Sequence, residues 1–182
     1  MVEVQPCQTF FDQADASDQQ VTHSITAKLT SFFKQQISTN KPEISAMCSI
    51  GDTVVIALNT AQLIMFDTVK SEIIYTNRNL TKTYIKYLKI CRCNGKYYMI
   101  CHTADTSLQL YSFPNPQFSD SLDLVKSFYV HEDGKVRTLY QNGVVNLFRI
   151  KDGGQFELCQ PPVSIPQCEE IIGCCLDKTM IK

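Results

Sequence analysis

Residues 51–74 read GDTVVIALNTAQLIMFDTVKSEII, and this stretch decides the expected fold. A short apolar run, Val54 to Leu58, meets a polar turn at Asn59 to Gln62, and a second apolar run, Leu63 to Phe66, follows. A third strand-like segment begins at Glu72. Short apolar runs separated by turn residues are typical of antiparallel strands. The stretch therefore predicts the middle of a small antiparallel sheet.

The same order of short strands and turns recurs along the chain. Asn94-Gly95 and Asn142-Gly143 are strong hairpin signals. Phe66, Tyr111 and Phe148 hold the same place in three strand-like segments, with separations of 45 (111 − 66) and 37 (148 − 111) residues. Further strands are expected at 44–50, 84–93, 96–102, 107–113, 124–130, 135–140, 144–150 and 156–159.

A repeat of about 40 to 45 residues is the length of one four-stranded propeller blade. The sequence therefore predicts an all-β, partial β-propeller of about three blades with the start of a fourth. Residues 1–20 are expected to be a loosely ordered lead-in and residues 21–182 the propeller segment, in which 21–37 fits either a strand or a helix. The expected blades are about 44–77, 84–129 and 130–160, with the next beginning in 168–182. Because propellers close with about four to eight blades, either a longer chain or a partner would complete the ring.

The chain resembles a divergent WD40-type propeller over about residues 44–176. Phe66-Asp67 stands where that family has Trp-Asp, although no tryptophan occurs and no Gly-His pair opens a repeat. A narrower similarity, to the N-terminal propeller of kinetochore checkpoint proteins of the Rod family, is carried by residues 42–68, PEISAMCSIGDTVVIALNTAQLIMFDT. The resemblance implies a non-catalytic protein–protein interaction scaffold in a larger multiprotein complex, with the kinetochore and mitotic checkpoint as one setting.

Composition limits the function classes. The chain has 182 residues, 44% of them hydrophobic, and a formal net charge of −1, so no global field draws it onto nucleic acid or an anionic membrane. The apolar runs are too short for a membrane span, and no signal-peptide pattern is visible. We expect a cytoplasmic or nuclear protein whose partners are other protein subunits.

No metal site, cofactor or catalytic centre is expected. Cys91-Arg92-Cys93 and Cys101-His102 have the residue types of a zinc site, but the C-x-C spacing merely puts two cysteines on one face of a strand. His23, His102 and His131 are the only candidate histidine bases, and none lies near a nucleophile motif. The nine cysteines are odd in number and sit mostly in apolar runs, which favours reduced, buried thiols over disulfides.

One candidate binding segment remains, between residues 78 and 96. It carries six cations and no carboxylate, interleaved with Tyr84, Tyr87 and Tyr97. Such a segment can bind an acidic peptide of a protein partner, or the phosphates of RNA in a ribonucleoprotein or ribosome-biogenesis complex. It can also be a solvated outer strand whose charges discourage edge pairing. The candidate partner-binding residues are Arg78, Lys82, Lys86, Lys89, Arg92 and Lys96.

Overall fold

The structure is a computed structural model that describes residues 42–131 and 133–164. Within these residues thirteen β-strands form three antiparallel sheets, so the predicted all-β class is confirmed. The described ranges contain no helix long and apolar enough to cross a membrane. The predicted lead-in at 1–20, the ambiguous segment 21–37 and the fourth blade at 168–182 lie outside the described residues.

Each sheet is built from consecutive strands. The first sheet contains β1 (Ile44–Ile50), β2 (Thr53–Leu58), β3 (Leu63–Asp67) and β4 (Glu72–Asn77). The second contains β5 (Ile85–Cys93), β6 (Lys96–Thr103), β7 (Leu108–Phe113) and β8 (Phe118–Leu122). The third contains β9 (Val125–Val130), β10 (Val136–Tyr140), β11 (Val144–Ile150) and β12 (Phe156–Leu158), and β13 (Val163–Ser164) pairs with the start of β11.

The sheets pack face to face in chain order, and β1 packs against β5. We call the face that a sheet turns toward the following sheet its forward face. Val55 and Met65 on the forward face of the first sheet pack against Leu88 and Met99 of the second. The forward face of the second sheet packs in the same way against Val136 and neighbouring residues of the third. Burial of two sheet faces in each interface is what stabilises stacked blades.

All three first strands contain a bulge at their second residue. The register between first and second strands shifts there, which leaves Ser45, Lys86 and Lys126 as the extra residues. A bulge of this kind bends the strand and increases its right-handed twist. The shared irregularity fixes which residues of the three sheets are structurally equivalent.

Counting from the bulges aligns the sheets residue by residue. Phe66, Tyr111 and Phe148 fall at one position of the third strand, as the sequence spacing predicts. Asp67, which follows the first of them, accepts a hydrogen bond of 2.8 Å from the Lys70 amide and so caps a local turn. Val55, Ile100 and Arg137 form a second equivalent set on the second strands, and Ala57, His102 and Leu139 form a third.

One predicted blade boundary differs from the structure, and one strand was not predicted. The blade boundary expected between residues 129 and 130 is wrong, because β9 is the first strand of the third sheet and the boundary follows Leu122. The cause is β8, which the sequence analysis missed. Its sequence FSDSL, just after Pro116, has little apolar patterning, and the strand forms by pairing with β7. The expected second blade, 84–129, therefore ran past β8 and over most of β9.

Candidate interaction surface

The candidate cations follow the whole length of β5. Arg78 and Lys82 lie in the connection before the strand, and Lys96 begins β6 beyond the hairpin at its far end. All six cations are exposed, as expected for a binding surface or a solvated strand. The six cations therefore follow the strand and do not form a compact pocket, and alternation puts Lys89 and Arg92 on opposite faces of β5. At about 3.3 Å per residue, the part of the line between Lys86 and Arg92 is roughly 20 Å long.

The bulge explains why β5 exposes so much of its sequence. Ile85 and Leu88 are both buried against the first sheet, although their odd spacing would put them on opposite faces of a regular strand. The extra residue, Lys86, absorbs the difference. Lys86 and its neighbour Tyr87 are both exposed as a result, with Tyr87 at 63%.

Three of these cations are left without a carboxylate partner. The ion pairs formed between described residues lie on the third sheet and its turns, and none of them includes Lys86, Lys89 or Arg92. Arg92 lies over the ring of Tyr97, 5.7 Å from its centroid. Such a contact orients a guanidinium without neutralising it. The charge of β5 is thus still available to an anionic partner.

Lys126 joins this line, although the sequence analysis did not single it out. It is the bulged residue of β9 and so occupies the position of Lys86 in the next sheet. Phe128 of β9 contacts His102, which stacks on Tyr87 of β5, so the two first strands lie close together. The first strands β1, β5 and β9 together carry four cations and no carboxylate. The repeated bulge is the signal that relates Lys126 to Lys86, and it is not visible in the sequence.

His102 lies beneath this surface and does not have the setting of a catalytic base. The side chain is only 3% exposed, and one ring nitrogen, Nε2, lies 2.7 Å from the carbonyl oxygen of Val125. Burial lowers its pKa, and the hydrogen bond to Val125 opposes part of that change. The ring is held between Tyr87 and Phe128. His102 therefore packs the second and third sheets together. Of the other two histidines, His131 makes an edge contact with Tyr129 at 4.9 Å, and His23 lies outside the described residues.

The cysteines considered for zinc point in different directions. Cys91 and Cys93 face the third sheet, whereas Cys101 faces the first. In the described ranges no three His, Cys, Asp or Glu side chains are placed to hold a metal ion. The five described cysteines are free thiols, and Cys91 and Cys101 are buried. Burial raises the pKa of the Cys48 thiol to about 11 and that of Cys91 to about 12, so neither is a ready thiolate nucleophile.

Comparison with known proteins identifies the architecture. The propeller domain of Cps50 (Swd1) from Myceliophteria thermophila is similar to this chain with a TM-score of 0.53 at 16% identity, over 70% of this chain and 45% of that one. The N-terminal domain of Nup159 has a TM-score of 0.51 at 18% identity, over 66% and 30% of the two chains. The designed protein Ika4 has a TM-score of 0.52 at 12% identity, over 68% and 74%. The chain has a β-propeller fold.

The comparisons reach no further than the fold. No protein-family model matches the chain, and no curated protein is significantly similar to it. The chain spans less than half the length of the two natural propeller structures described above. One further similar structure, at 20% identity and a TM-score of 0.52, is a complex in which S. cerevisiae Dbp5 is bound to Nup159, Gle1, IP6 and ADP.

Proposed function

We propose that this chain is a non-catalytic interaction scaffold, a propeller segment of a larger multiprotein complex, and that β5 binds an acidic segment of a protein partner. The observation that carries the proposal is the line of unneutralised cations along the first strands. An extended peptide fits a line of charge roughly 20 Å long better than a compact ligand does. Nup159, a propeller of similar fold, is found in a complex with Dbp5 and Gle1. Scaffolding in a multiprotein assembly is therefore a role that this fold supports.

Charge reversal of one lysine tests the proposal. The probe is a fluorescein-labelled peptide of alternating glutamate and serine, and its binding is measured by fluorescence anisotropy. Lys89→Glu is expected to weaken binding by about fivefold, because a cation becomes a repelling charge in the middle of the line. Lys70→Glu makes the same change in net charge at an exposed turn of the first sheet and is expected to leave affinity within about twofold. Equal losses from both variants would mean that only net charge matters, and the proposed site would be wrong.

RNA binding, in a ribonucleoprotein or ribosome-biogenesis complex, is the second candidate. Three exposed tyrosines interleaved with the cations, Tyr84, Tyr87 and Tyr97, favour it, because bases stack on such rings. A labelled single-stranded RNA would then bind with a steep, linear dependence of log affinity on log salt. Tyr87→Ala would weaken the RNA complex and leave the affinity for the acidic peptide nearly unchanged. Failure of RNA to compete with the peptide would exclude this candidate.

The cellular setting that we propose is a kinetochore or mitotic-checkpoint complex, with the chain in the cytoplasm or nucleus. Support comes from the resemblance of residues 42–68, which form β1 to β3. Tagged protein from mitotic cells is expected to co-purify with kinetochore subunits and to concentrate at chromosomes before anaphase. Co-purification with ribosome-assembly factors instead would favour the second candidate.

A further inference from the structure

Three buried polar atoms lie in the interface between the second and third sheets without a protein partner. They are Nδ1 of His102 on β6, Oγ1 of Thr138 on β10 and Oδ1 of Asn146 on β11, and none of them makes a hydrogen bond with any residue that the structure describes. Thr138 is fully buried, and His102 is only 3% exposed. A buried polar atom that loses its bond to water and gains no other is costly. Three such atoms in one interface point to a shared partner.

The pairing of the third sheet places two of these side chains next to each other. Phe128, Thr138 and Asn146 are successive cross-strand partners on β9, β10 and β11, so their side chains point to one face. Phe128 packs into the core between the second and third sheets, which identifies this face as the one turned toward the second sheet. His102 reaches it from the second sheet, with its ring centroid 5.7 Å from that of Phe128. Thr138 therefore lies between Asn146 and the residue that His102 contacts.

The second sheet satisfies the position of Asn146 with a side chain of its own. Its equivalent there is Gln109, whose Oε1 accepts a hydrogen bond of 2.7 Å from the Tyr111 hydroxyl two residues along β7. In the third sheet the residue two beyond Asn146 is Phe148, which has no hydroxyl to donate. The third sheet thus keeps the amide acceptor and lacks its donor.

The hydrogen-bonding capacity of the three atoms matches that of one water molecule. His102 Nε2 lies 2.7 Å from the Val125 carbonyl oxygen, so Nε2 carries the proton and Nδ1 is an acceptor. Asn146 Oδ1 is an acceptor as well, whereas the Thr138 hydroxyl can donate. Water has two protons for the two acceptors and a lone pair for the hydroxyl, and buried waters typically make about three hydrogen bonds. An anion would be repelled by the two acceptors.

We propose that the interface between the second and third sheets contains an internal water molecule that accepts a hydrogen bond from Thr138 and donates to Asn146 and His102. This water links β6 of the second sheet to β10 and β11 of the third. In the first interface the corresponding positions of His102 and Thr138 are occupied by Ala57 and Cys101, which bury apolar surface instead. The bridging water is thus specific to the second interface.

The magnetic relaxation dispersion of water oxygen nuclei detects water molecules that stay inside a protein far longer than surface water does. In the full 182-residue chain, Thr138→Val combined with Asn146→Leu removes two bridged groups at nearly constant volume and is expected to lower the dispersion amplitude by the contribution of one long-lived water. Thr76→Val combined with Asn79→Leu makes the same changes at exposed positions in and beside β4 and should leave the amplitude unchanged. An unchanged amplitude in the interface variant, or an equal loss in the control, would overturn the proposal.

Urea unfolding distinguishes a bridging water from three polar atoms that are merely unpaired. Replacing an unpaired buried polar group by an apolar one of similar shape is neutral or stabilising, so without the water Thr138→Val should hold or raise the midpoint of unfolding. With the water, Thr138→Val should lower the midpoint, because Asn146 and His102 lose part of their bridge. Adding Asn146→Leu should then cost less than it does alone, since the two residues share one partner. A midpoint held or raised by Thr138→Val contradicts the proposal, and so do additive losses.

Discussion

The two sheet–sheet interfaces have the same geometry and different chemistry. Between the first and second sheets the contact is made by buried apolar side chains such as Leu63, Met65 and Met99. Between the second and third sheets, polar groups cross the contact: His102 to the Val125 carbonyl at 2.7 Å, and Cys93 Sγ to the Ile150 carbonyl at 3.2 Å. The Tyr98 hydroxyl also donates to the Asp152 carbonyl, at 3.1 Å.

One structural position shows the difference most directly. Ala57 occupies it on the forward face of the first sheet, and His102 occupies it on the second. Alanine only fills space, whereas histidine needs a hydrogen-bond partner and can change its charge. The same backbone position thus accommodates either an apolar contact or a buried hydrogen bond. We therefore expect the first interface to depend on side-chain volume, and the second to depend also on hydrogen bonds and pH.

The largest effect is expected from removing volume at the first interface. Met99→Ala truncates a fully buried side chain and should lower the free energy of unfolding by about 2–5 kcal/mol. Urea denaturation gives the value. Ile74→Ala, on the exposed side of β4, is the control and should change stability by less than about 0.5 kcal/mol. Similar effects from both variants would contradict the view that packing dominates this interface.

A smaller effect on stability is expected from adding a methyl group to Gly134, at the second interface. Gly134 has a φ of +79°, and an added Cβ would lie 3.1 Å from the Arg92 carbonyl oxygen and 3.2 Å from Cys93 Sγ. Gly51 has a φ of +51° with no other atom within 4 Å of the same position. Both Ala variants would incur the left-handed strain of about 1 kcal/mol. Only Gly134→Ala adds a steric conflict, so it should lower the thermal midpoint clearly more than Gly51→Ala; equal shifts would argue against close contact there.

The smallest effect is expected from the protonation of His102, which makes the free energy of unfolding depend on pH. Because burial lowers its folded-state pKa, the unfolded chain takes up the proton first as the pH falls. The contribution of the neutral ring is fully present above the unfolded pKa of about 6.5 and decreases below it, by at most about 1.4 kcal/mol per pH unit. Urea unfolding between pH 8 and 5 should show this slope in the unsubstituted chain and a reduced slope in His102→Gln. An identical slope in both chains would leave the second interface no more sensitive to pH than the first.

The sequence predicts those strands whose apolar pattern and flanking turns are visible in neighbouring residues. The bounds of β1 and β11 follow from their apolar patterns and flanking turns, and the equivalence of Phe66, Tyr111 and Phe148 follows from spacing. The edge strand β8 has no such pattern, because pairing with β7 creates it. Local sequence also gives no indication of which sheet a strand joins, and the expected boundary between residues 129 and 130 failed for that reason.

The part of the candidate surface that lies in one continuous stretch of sequence was predictable. A run of cations without carboxylates is visible in the sequence, and the exposure of Lys86, Lys89 and Arg92 agrees with it. Lys126 is forty residues from Lys86 (126 − 86), and only the register of two separate sheets shows that they are equivalent. Arg137 was missed because its strand, VRTLY, resembles an ordinary half-exposed strand. The sequence does not reveal that the Arg137 side chain is only 9% exposed.

The bulge at the second residue of β1, β5 and β9 also bears on the history of the chain. A regular hairpin can arise many times, because any alternating sequence forms one. An extra residue at one place in three successive sheets is a shared defect, found at Ser45, Lys86 and Lys126, two of which are lysines. Such a defect is expected when blades descend from a single ancestral unit by tandem duplication. Descent from one unit would account both for this register and for the aromatic residues at Phe66, Tyr111 and Phe148.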